Sequence, residues 1–106
     1  MNKKISIITV VKNGMPFLKS AIKSFNLQDY DNKELIIVFA PSNDGTEEYL
    51  NQLKFENIKI IKDKNSKTKF GSLNLGINLS SGDILGLLHS DDVFFNETIL
   101  SIISNN

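Results

Sequence analysis

The stretch Gly82-Asp83-Ile84-Leu85-Gly86-Leu87-Leu88-His89-Ser90-Asp91-Asp92 decides how this sequence is interpreted. Its centre is a short apolar run bounded by glycine and polar residues, a pattern that favours a strand buried on both faces of a parallel sheet. The run ends in two adjacent carboxylates, Asp91 and Asp92. In open α/β sheets, ligands bind at the carboxyl ends of the strands. The stretch therefore predicts a buried strand that delivers two acidic side chains to a ligand site.

Two interpretations of Asp91 and Asp92 are open at this point. Adjacent carboxylates repel each other and raise each other's pKa unless a cation or hydrogen-bond donors lie between them. A hard divalent ion, Mg²⁺ or Mn²⁺, is the usual partner of such oxygen ligands and is often shared with substrate phosphates. The simpler interpretation is a solvated turn in which one carboxylate caps the following helix. Taken alone, the pair favours the cap, so the surrounding motifs have to decide.

Composition narrows the class of protein. The chain has 106 residues, which allows one domain with a single core. Its formal net charge is zero, so nucleic-acid binding does not follow from the charge balance. The sequence contains lysine but no arginine, so a phosphate would be bound by lysine, backbone amides or a metal. It contains no cysteine, which excludes a disulfide framework, a thiol nucleophile and a cysteine zinc site.

Strand and helix patterns alternate along the chain. The predicted strands are residues 5–11, 34–39, 58–61 and the apolar part of 82–92. The predicted helices begin near Pro16, near Asp44 with Glu47 as its capping box, near Phe70 and near Asn96. This order implies one α/β domain over residues 1–106, a doubly wound, mostly parallel sheet of about four strands with helices on both faces. The short third strand is expected near an edge of the sheet.

Several functional classes are excluded or disfavoured by the same residues. No Gly-x-Gly-x-x-Gly and no phosphate-binding Gly-Lys-Ser/Thr loop is present, and the first strand is followed by Lys12-Asn13 rather than by the acidic pair of a receiver domain. His89 has no serine or cysteine partner at an interpretable spacing, so a residue at a strand end is favoured over a catalytic base. The lysine-rich segment 62–69 favours a solvated loop, with a loop that contacts ligand phosphates as the alternative. The apolar run 5–11 is too short to span a bilayer, so a strand is favoured over a signal peptide. A cytoplasmic location is therefore expected.

Five motifs, in order, resemble the N-terminal half of family 2 glycosyltransferases. They are Ile-Ile-Thr-Val-Val-Lys-Asn-Gly at 7–14, Glu-Leu-Ile-Ile-Val at 34–38, Ser-Asn-Asp-Gly-Thr at 42–46, Asn-Leu-Gly-Ile at 74–77 and Ser-Gly-Asp-Ile-Leu-Gly-Leu-Leu-His-Ser-Asp-Asp at 81–92. The resemblance covers essentially the whole chain. It implies the GT-A fold and transfer of a sugar from a nucleotide-diphospho-sugar, most often a UDP-sugar, in bacterial polysaccharide or glycoconjugate synthesis.

The resemblance also implies a nucleotide site. Thr9 and Asn13 match family positions that line the nucleotide pocket at the end of the first strand. Asn74 matches a helix asparagine that faces the nucleotide, with a local hydrogen bond on the helix as the alternative. Phe39 stands where the family usually has an aspartate that contacts the nucleobase. A phenyl ring can stack on a base but cannot accept its N–H, so the identity of the nucleotide stays open.

The metal site is implied in the same way. Asp91 and Asp92 match the family's Asp-x-Asp motif, with Ser90 at the first acidic position. Asp92 is then the expected direct ligand of Mn²⁺ or Mg²⁺, and Asp91 contributes to the metal and donor sites. The ion would neutralise charge that develops on the nucleoside diphosphate leaving group.

Family members also have a second half, which supplies the acceptor site and, in inverting enzymes, the catalytic base. This chain ends one helix after Asp92, so we expect a donor-binding half that is inactive alone, either a trimmed segment or a naturally shortened reading frame. No catalytic base is assigned in this half. The expected acceptor is a saccharide or a lipid-linked saccharide. The protein is expected in the cytoplasm, at the inner face of the membrane where the acceptor is lipid-linked. The edge where a second half would pack should be apolar and would promote self-association. A non-catalytic nucleotide-sugar-binding or interaction module is the alternative.

Overall fold

The computed structural model describes residues 3–66, 68–90, 93–94 and 98–104. Within them, strands and helices alternate strictly, as the sequence predicts. The elements are β1 (Ile5–Val11), α1 (Phe17–Asn26), β2 (Lys33–Phe39), α2 (Thr46–Asn51), β3 (Ile58–Lys62), α3 (Lys69–Leu79), β4 (Ile84–Leu87) and α4 (Ile99–Ser104). None of the helices in these ranges combines the length and apolarity that crossing a bilayer requires.

The four strands form one parallel sheet in the order β3-β2-β1-β4. Parallel neighbours need a crossover connection, and α1, α2 and α3 provide these crossovers. The central strands β1 and β2 are almost entirely buried, which explains why their sequences are continuously apolar rather than alternating. The α/β class with a parallel sheet is thus confirmed, and β3 lies at an edge, as predicted.

Helices cover both faces of the sheet, because alternate residues of a strand point to opposite sides. On one face, Ile7 and Val11 pack with the buried α1 residues Leu18 and Phe25. On the other face, a smaller cluster contains residues of β1, β2 and α3, namely Ile8, Ile36, Val38, Leu73 and Leu75. The doubly wound arrangement is therefore present in this structure.

Helix α3 comes closest to the sheet at its small residues, and Leu73 and Leu75 pack beside them. Ser72 and Gly76 are its buried residues, whereas Phe70 is 77% exposed. A Cβ at Gly76 would lie 2.7 Å from the Ile8 Cγ2 atom, so the helix backbone is close to the strand. Phe70 therefore marks the start of this helix without belonging to the face that packs on the sheet.

Strand β4 differs from its prediction. The sequence predicts a strand buried on both faces, but Leu85 is 48% exposed and Leu87 is 60% exposed. The reason is that α3 packs over β1 and β2, so it leaves the same face of β4 uncovered. An apolar run shows that a strand is hydrophobic, but it does not show whether a helix covers each face of that strand.

The start of α2 also differs from its prediction. The Asp44 Oδ1 atom accepts hydrogen bonds from the Thr46 amide at 3.1 Å and the Thr46 hydroxyl at 2.5 Å. The N-cap is Gly45, at a φ of 91°, and Glu47 instead pairs with Lys62 at 3.0 Å. The predicted capping box is therefore wrong, because the Asp44 side chain bonds to Thr46 and the Glu47 side chain pairs with Lys62 on β3.

A row of polar groups crosses β1, β2 and β3 near their amino ends and reaches the residues just before β4. The Glu34 carboxylate, 3% exposed, accepts a hydrogen bond of 2.6 Å from the Ser6 hydroxyl and lies 3.1 Å from the Lys59 ammonium. Ser6 Oγ in turn accepts the Gly82 amide at 2.8 Å, and the Ser81 amide donates to Glu34 at 2.8 Å. Burial alone would raise the pKa of Glu34, but hydrogen bonds from Ser6, Ser81 and Lys59 outweigh it and hold the pKa at about 2. We call these five residues the polar row.

Candidate functional site

A cavity of about 800 Å³ lies where β1 and β4 end, between the first turns of α1 and α3. Its apolar wall is formed by Ile8, Val10, Phe17, Phe70, Leu73, Leu87 and Leu88. Its polar and glycine residues are Asn13, Gly14, Lys69, His89 and Ser90. The cavity is thus at the carboxyl edge of the sheet, the place where α/β proteins bind ligands.

Asn13 is held in place by the loop that follows β2. Its backbone amide donates to Ser42 Oγ at 2.9 Å, and its Oδ1 atom accepts the Asn43 amide at 2.9 Å. Its φ of 52° lies in the left-handed region, which asparagine tolerates better than most residues. These two hydrogen bonds connect the loop after β1 to the loop after β2, so Asn13 lines the cavity in a fixed conformation.

The same two loops are joined again one turn further. The Gly14 amide donates to Thr46 Oγ1 and the Met15 amide donates to Asp44 Oδ2, both at 3.0 Å. The hydrogen bonds from the Thr46 hydroxyl and from the Met15 and Thr46 amides lower the pKa of Asp44, although burial opposes them. Asp44 therefore supports the cavity wall instead of lining it.

Gly14 brings the backbone close to the end of β4. A Cβ at this position would lie 2.3 Å from Val11 Cγ2 and 3.6 Å from the Ser90 Cβ. A side chain would therefore push the loop after β1 outward from its own strand. The absence of a side chain keeps the loop against Ser90, so the two strand ends enclose one cavity.

Asp63, which follows β3, is a buried carboxylate that sequence analysis missed. Its Oδ1 atom accepts the Asn65 and Ser66 amides, both at 3.0 Å, and its Oδ2 atom accepts the Ser72 hydroxyl at 2.8 Å. Hydrogen bonds from Ser66 first, and then from Ser72, hold the pKa of Asp63 well below its usual range. The prediction of a wholly solvated loop over 62–69 is therefore wrong at Asp63, which ties this loop to α3. The Asp-x-Asn-Ser order, typical of a turn closed by an aspartate side chain, was the available signal.

The predicted nucleotide residues are not all brought together. Of them, Asn13 lines the cavity, whereas Asn74 is exposed on α3 outside the set of lining residues. Thr9 is 2% exposed and points to the face opposite its neighbours Ile8 and Val10, which line the cavity. Its Oγ1 atom has no hydrogen-bond partner in the described part of the chain.

Phe39 requires a correction. The side chain is 4% exposed and belongs to the core cluster that contains Ile37 and Phe25. Because neighbouring side chains cover the ring, it offers no face on which a nucleobase could stack. Phe17 and Phe70, which are 61% and 77% exposed, are instead the aromatic side chains that line the cavity. Sequence analysis used Phe70 only to place the start of a helix.

The predicted metal residues, Asp91 and Asp92, lie outside the described residues. Within residues 3–66, 68–90, 93–94 and 98–104, no three His, Asp or Glu side chains are close enough to hold a metal ion. Ser90, which precedes the pair directly, lines the cavity. The pair therefore follows a residue of the cavity wall, and its carboxylate oxygens fit the ligand preference of Mg²⁺ or Mn²⁺.

Fold and cavity together define an α/β protein with a cavity at the carboxyl edge of its parallel sheet, the usual position of a ligand site in this class. Residues 6–105 match the family model described as glycosyl transferase family 2, and the chain belongs to this family. An Escherichia coli relative named UDP-Glc:alpha-D-GlcNAc-diphosphoundecaprenol beta-1,3-glucosyltransferase is 31% identical over 83% of the chain and 35% of its own length. A Campylobacter jejuni relative named GalNAc(5)-diNAcBac-PP-undecaprenol beta-1,3-glucosyltransferase is 32% identical over 84% of the chain and 30% of its length.

Solved structures show the same fold. Residues 1–349 of Staphylococcus aureus TarS, in complex with UDP-GlcNAc, are similar with a TM-score of 0.81 and 25% identity, over 96% of the chain and 30% of TarS 1–349. A mannosyltransferase of Pyrobaculum calidifontis, in complex with GDP-Man and Mn²⁺, has a TM-score of 0.80 at 17% identity, over 92% of the chain and 30% of its own. The GT-A fold is thus confirmed. The chain spans between 14% and 39% of the length of the curated relatives compared.

Proposed function

We propose that this chain is the donor-binding half of a glycosyltransferase that takes a sugar from a nucleotide-diphospho-sugar, with a UDP-sugar as the first candidate. The observation that carries the proposal is the cavity at the carboxyl edge, where Asn13, Lys69 and Ser90 converge in a family 2 fold. The complex of TarS with UDP-GlcNAc supports the choice of donor class. The acceptor would be a growing saccharide, in keeping with the relatives named as glucosyltransferases.

The polar side of the cavity suits a diphosphate. Lys69 supplies a positive charge, and it stands at the first turn of α3, where the helix dipole adds positive potential. Asn13 supplies an amide whose backbone is already fixed by Ser42 and Asn43. Binding would therefore require little ordering of this side of the cavity, which favours affinity.

We further propose that Asp91 and Asp92 would hold Mn²⁺ or Mg²⁺. When bound, the ion supplies positive charge to the departing nucleoside diphosphate. This chain's own residues bind and orient the donor: Lys69 would contact the diphosphate, Asn13 would fix the loop beside it, and the apolar wall would exclude water. No residue of the described chain is assigned as the base that activates the acceptor.

The acceptor and the location form one linked proposal. The two glucosyltransferase relatives carry diphosphoundecaprenol in their names, which is a membrane lipid carrier. We therefore propose a cytoplasmic protein that works at the inner face of the membrane on a lipid-linked saccharide. Because the chain spans 14–39% of its relatives, turnover is proposed only for a polypeptide that joins this half to an acceptor-binding half.

Calorimetric titration with UDP and GDP, with and without Mn²⁺, tests the proposal. We expect UDP to bind only with Mn²⁺, and the substitution Asp92→Ala to abolish that binding. Lys69→Ala should weaken it about fivefold, as expected for the loss of one partly screened charge contact. Lys54→Ala, an exposed lysine just before β3 at the opposite edge of the sheet, is the matched control and should bind as the wild type does.

The possible outcomes separate the candidate functions. Binding of neither nucleotide, with the fold intact by circular dichroism, would overturn the donor-site proposal. Binding that is independent of Mn²⁺ and unchanged in Asp92→Ala would overturn the proposed metal site. It would favour a non-catalytic nucleotide-binding module.

A further inference from the structure

Phe70 is the most exposed large apolar side chain among the described residues, and it lies in the wall of the cavity. It belongs to the first turn of α3, directly after Lys69, which lines the same cavity. Leu73, three residues on, also lines the cavity and packs with the core on that face of the sheet. Leu73 therefore anchors this turn of the helix, while the Phe70 ring is presented to the contents of the cavity.

The backbone around Phe70 is held in place from both sides. The buried Asp63 carboxylate accepts the Ser66 amide at 3.0 Å and the Ser72 hydroxyl at 2.8 Å, so it joins the preceding loop to α3. A Cβ at Gly71 would lie 2.8 Å from the Ser66 Oγ atom, so the helix start lies directly against that loop. A ring on a backbone that is already ordered needs little further ordering when a ligand binds.

The surroundings of Phe70 suit the base of a nucleotide. Lys69, its neighbour, is the residue proposed above to contact the diphosphate, and a ribose links the diphosphate to the base. Phe39 is a core residue, and the Asn13 Oδ1 atom already accepts the Asn43 amide. A flat apolar ring beside a cation therefore offers a face for the base next to a charge for the phosphates.

We propose that Phe70 stacks on the nucleobase of the donor, and that this stacking makes the site tolerant of different bases. Because it needs the donor in this cavity, the stacking role rests on the proposed function. Every base has a π-face, so stacking on an aromatic side chain accepts the exchange of one base for another. We expect the Kd values of UDP and GDP to lie within about tenfold of each other.

Tryptophan fluorescence tests the stacking directly, because the native chain contains no tryptophan. Phe70→Trp keeps an aromatic ring at the site, and a base stacked on that ring should quench its fluorescence when UDP or GDP is added with Mg²⁺. Pyrophosphate with Mg²⁺, which has no base, should quench it much less. Phe55→Trp is the matched control, since Phe55 is also partly exposed but does not line the cavity, and its fluorescence should not respond.

Calorimetry measures the contribution of the ring to affinity. Phe70→Leu keeps an apolar side chain but removes the aromatic face, so UDP and GDP should each bind about tenfold more weakly than to the unaltered chain. Phe55→Leu makes the same exchange outside the cavity and should bind both nucleotides as the unaltered chain does. Circular dichroism checks that each variant is folded.

The outcomes separate the stacking role from the proposed function. Nucleotide binding that Phe70→Leu leaves unchanged would overturn the stacking role and leave the donor site standing, as would a lack of quenching in a Phe70→Trp variant that still binds UDP. A preference above about a hundredfold for UDP or GDP would also overturn base tolerance, because it requires hydrogen bonds to the base. Binding of neither nucleotide to the unaltered chain would overturn the proposed function and the stacking role together.

Discussion

The two edges of this sheet are protected very differently. β3, at one edge, reads Ile-Lys-Ile-Ile-Lys, and its lysines are both paired, Lys59 with Glu34 and Lys62 with Glu47. β4, at the other edge, reads Ile-Leu-Gly-Leu and has no charged side chain. Lysines on an edge strand oppose further pairing, because joining two such edges would bring like charges together and strip them of water. The difference indicates that β3 ends the sheet by design, whereas β4 is an edge that other polypeptide can extend.

The largest expected effect comes from removing the polar row that connects both edges. Glu34→Ala leaves the Ser6 hydroxyl and the Ser81 amide without their acceptor, so we expect a loss of about 2–4 kcal/mol in the free energy of unfolding. Urea denaturation measures it. Glu48→Ala, at an exposed position of α2, is the control and should change stability by less than about 0.5 kcal/mol. Equal effects of the two substitutions would show that the row does not support either edge.

The pH dependence of stability should report the same row. The pKa of Glu34 is lowered from 4.5 to about 2 in the folded chain, so its contribution is complete above pH 4.5 and is lost as the pH falls toward 2. Asp63, whose pKa is also lowered, adds to this acid sensitivity. Thermal unfolding between pH 2 and pH 6 measures the slope. Glu34→Gln should flatten it, and an unchanged slope in this variant would assign the acid sensitivity to the other carboxylates of lowered pKa, Asp63 and Asp44.

Replacing the two lysines of β3 by leucines would leave both edge strands of the sheet without charge. We expect Lys59→Leu combined with Lys62→Leu to lower stability by about 1 kcal/mol through lost ion pairs. The same variant should associate at lower concentration than the wild type, because β3 would then resemble β4. Sedimentation velocity measures the association. A variant that associates no more than the wild type at the same concentration would show that the lysines do not protect this edge.

The smallest expected effect comes from protecting β4. Leu85→Lys places a charge at an exposed position, so its stability should lie within about 0.5 kcal/mol of the wild type. Its nucleotide binding should also be unchanged, because Leu85 is not among the residues that line the cavity. Chemical denaturation and calorimetry measure these two quantities. A large loss of stability would mean that Leu85 packs against the chain more closely than its 48% exposure implies.

Local pattern predicts the elements of this fold well, but not their lateral order. β1 and β2 are continuously apolar because they are central, and that signal is present in the sequence itself. β4 has the same kind of signal, yet one of its faces is exposed. That exposure depends on where α3 packs, which the sequence of β4 does not show. The alternation of elements and the family motifs were therefore predictable, and the uncovered face of β4 was not.

The same limit applies to the polar groups. Glu34 and Ser6 are 28 residues apart, and Glu34 and Ser81 are 47 apart, so no local spacing reveals the row. The family resemblance predicted that Asn13 lines the pocket at the end of the first strand, and Asn13 does line the cavity. Phe39 could not be placed from sequence, since an aromatic residue at a strand end suits a core and a stacking platform equally well. The assignments of Asp91 and Asp92 stay predictions.

The polar row has a mechanical consequence for β4. It fastens the start of that strand at Gly82, next to Ser6, while the strand's outer side has no neighbour within the described chain. On its inner side β4 is paired with β1 from Ile84 to Leu87, and the Leu88 amide donates to the Ile8 carbonyl at 3.1 Å. The strand is therefore fastened at both of its ends to β1 and moves with it as one unit. The position of Ser90 in the cavity wall, two residues beyond Leu88, is thus fixed from the centre of the sheet.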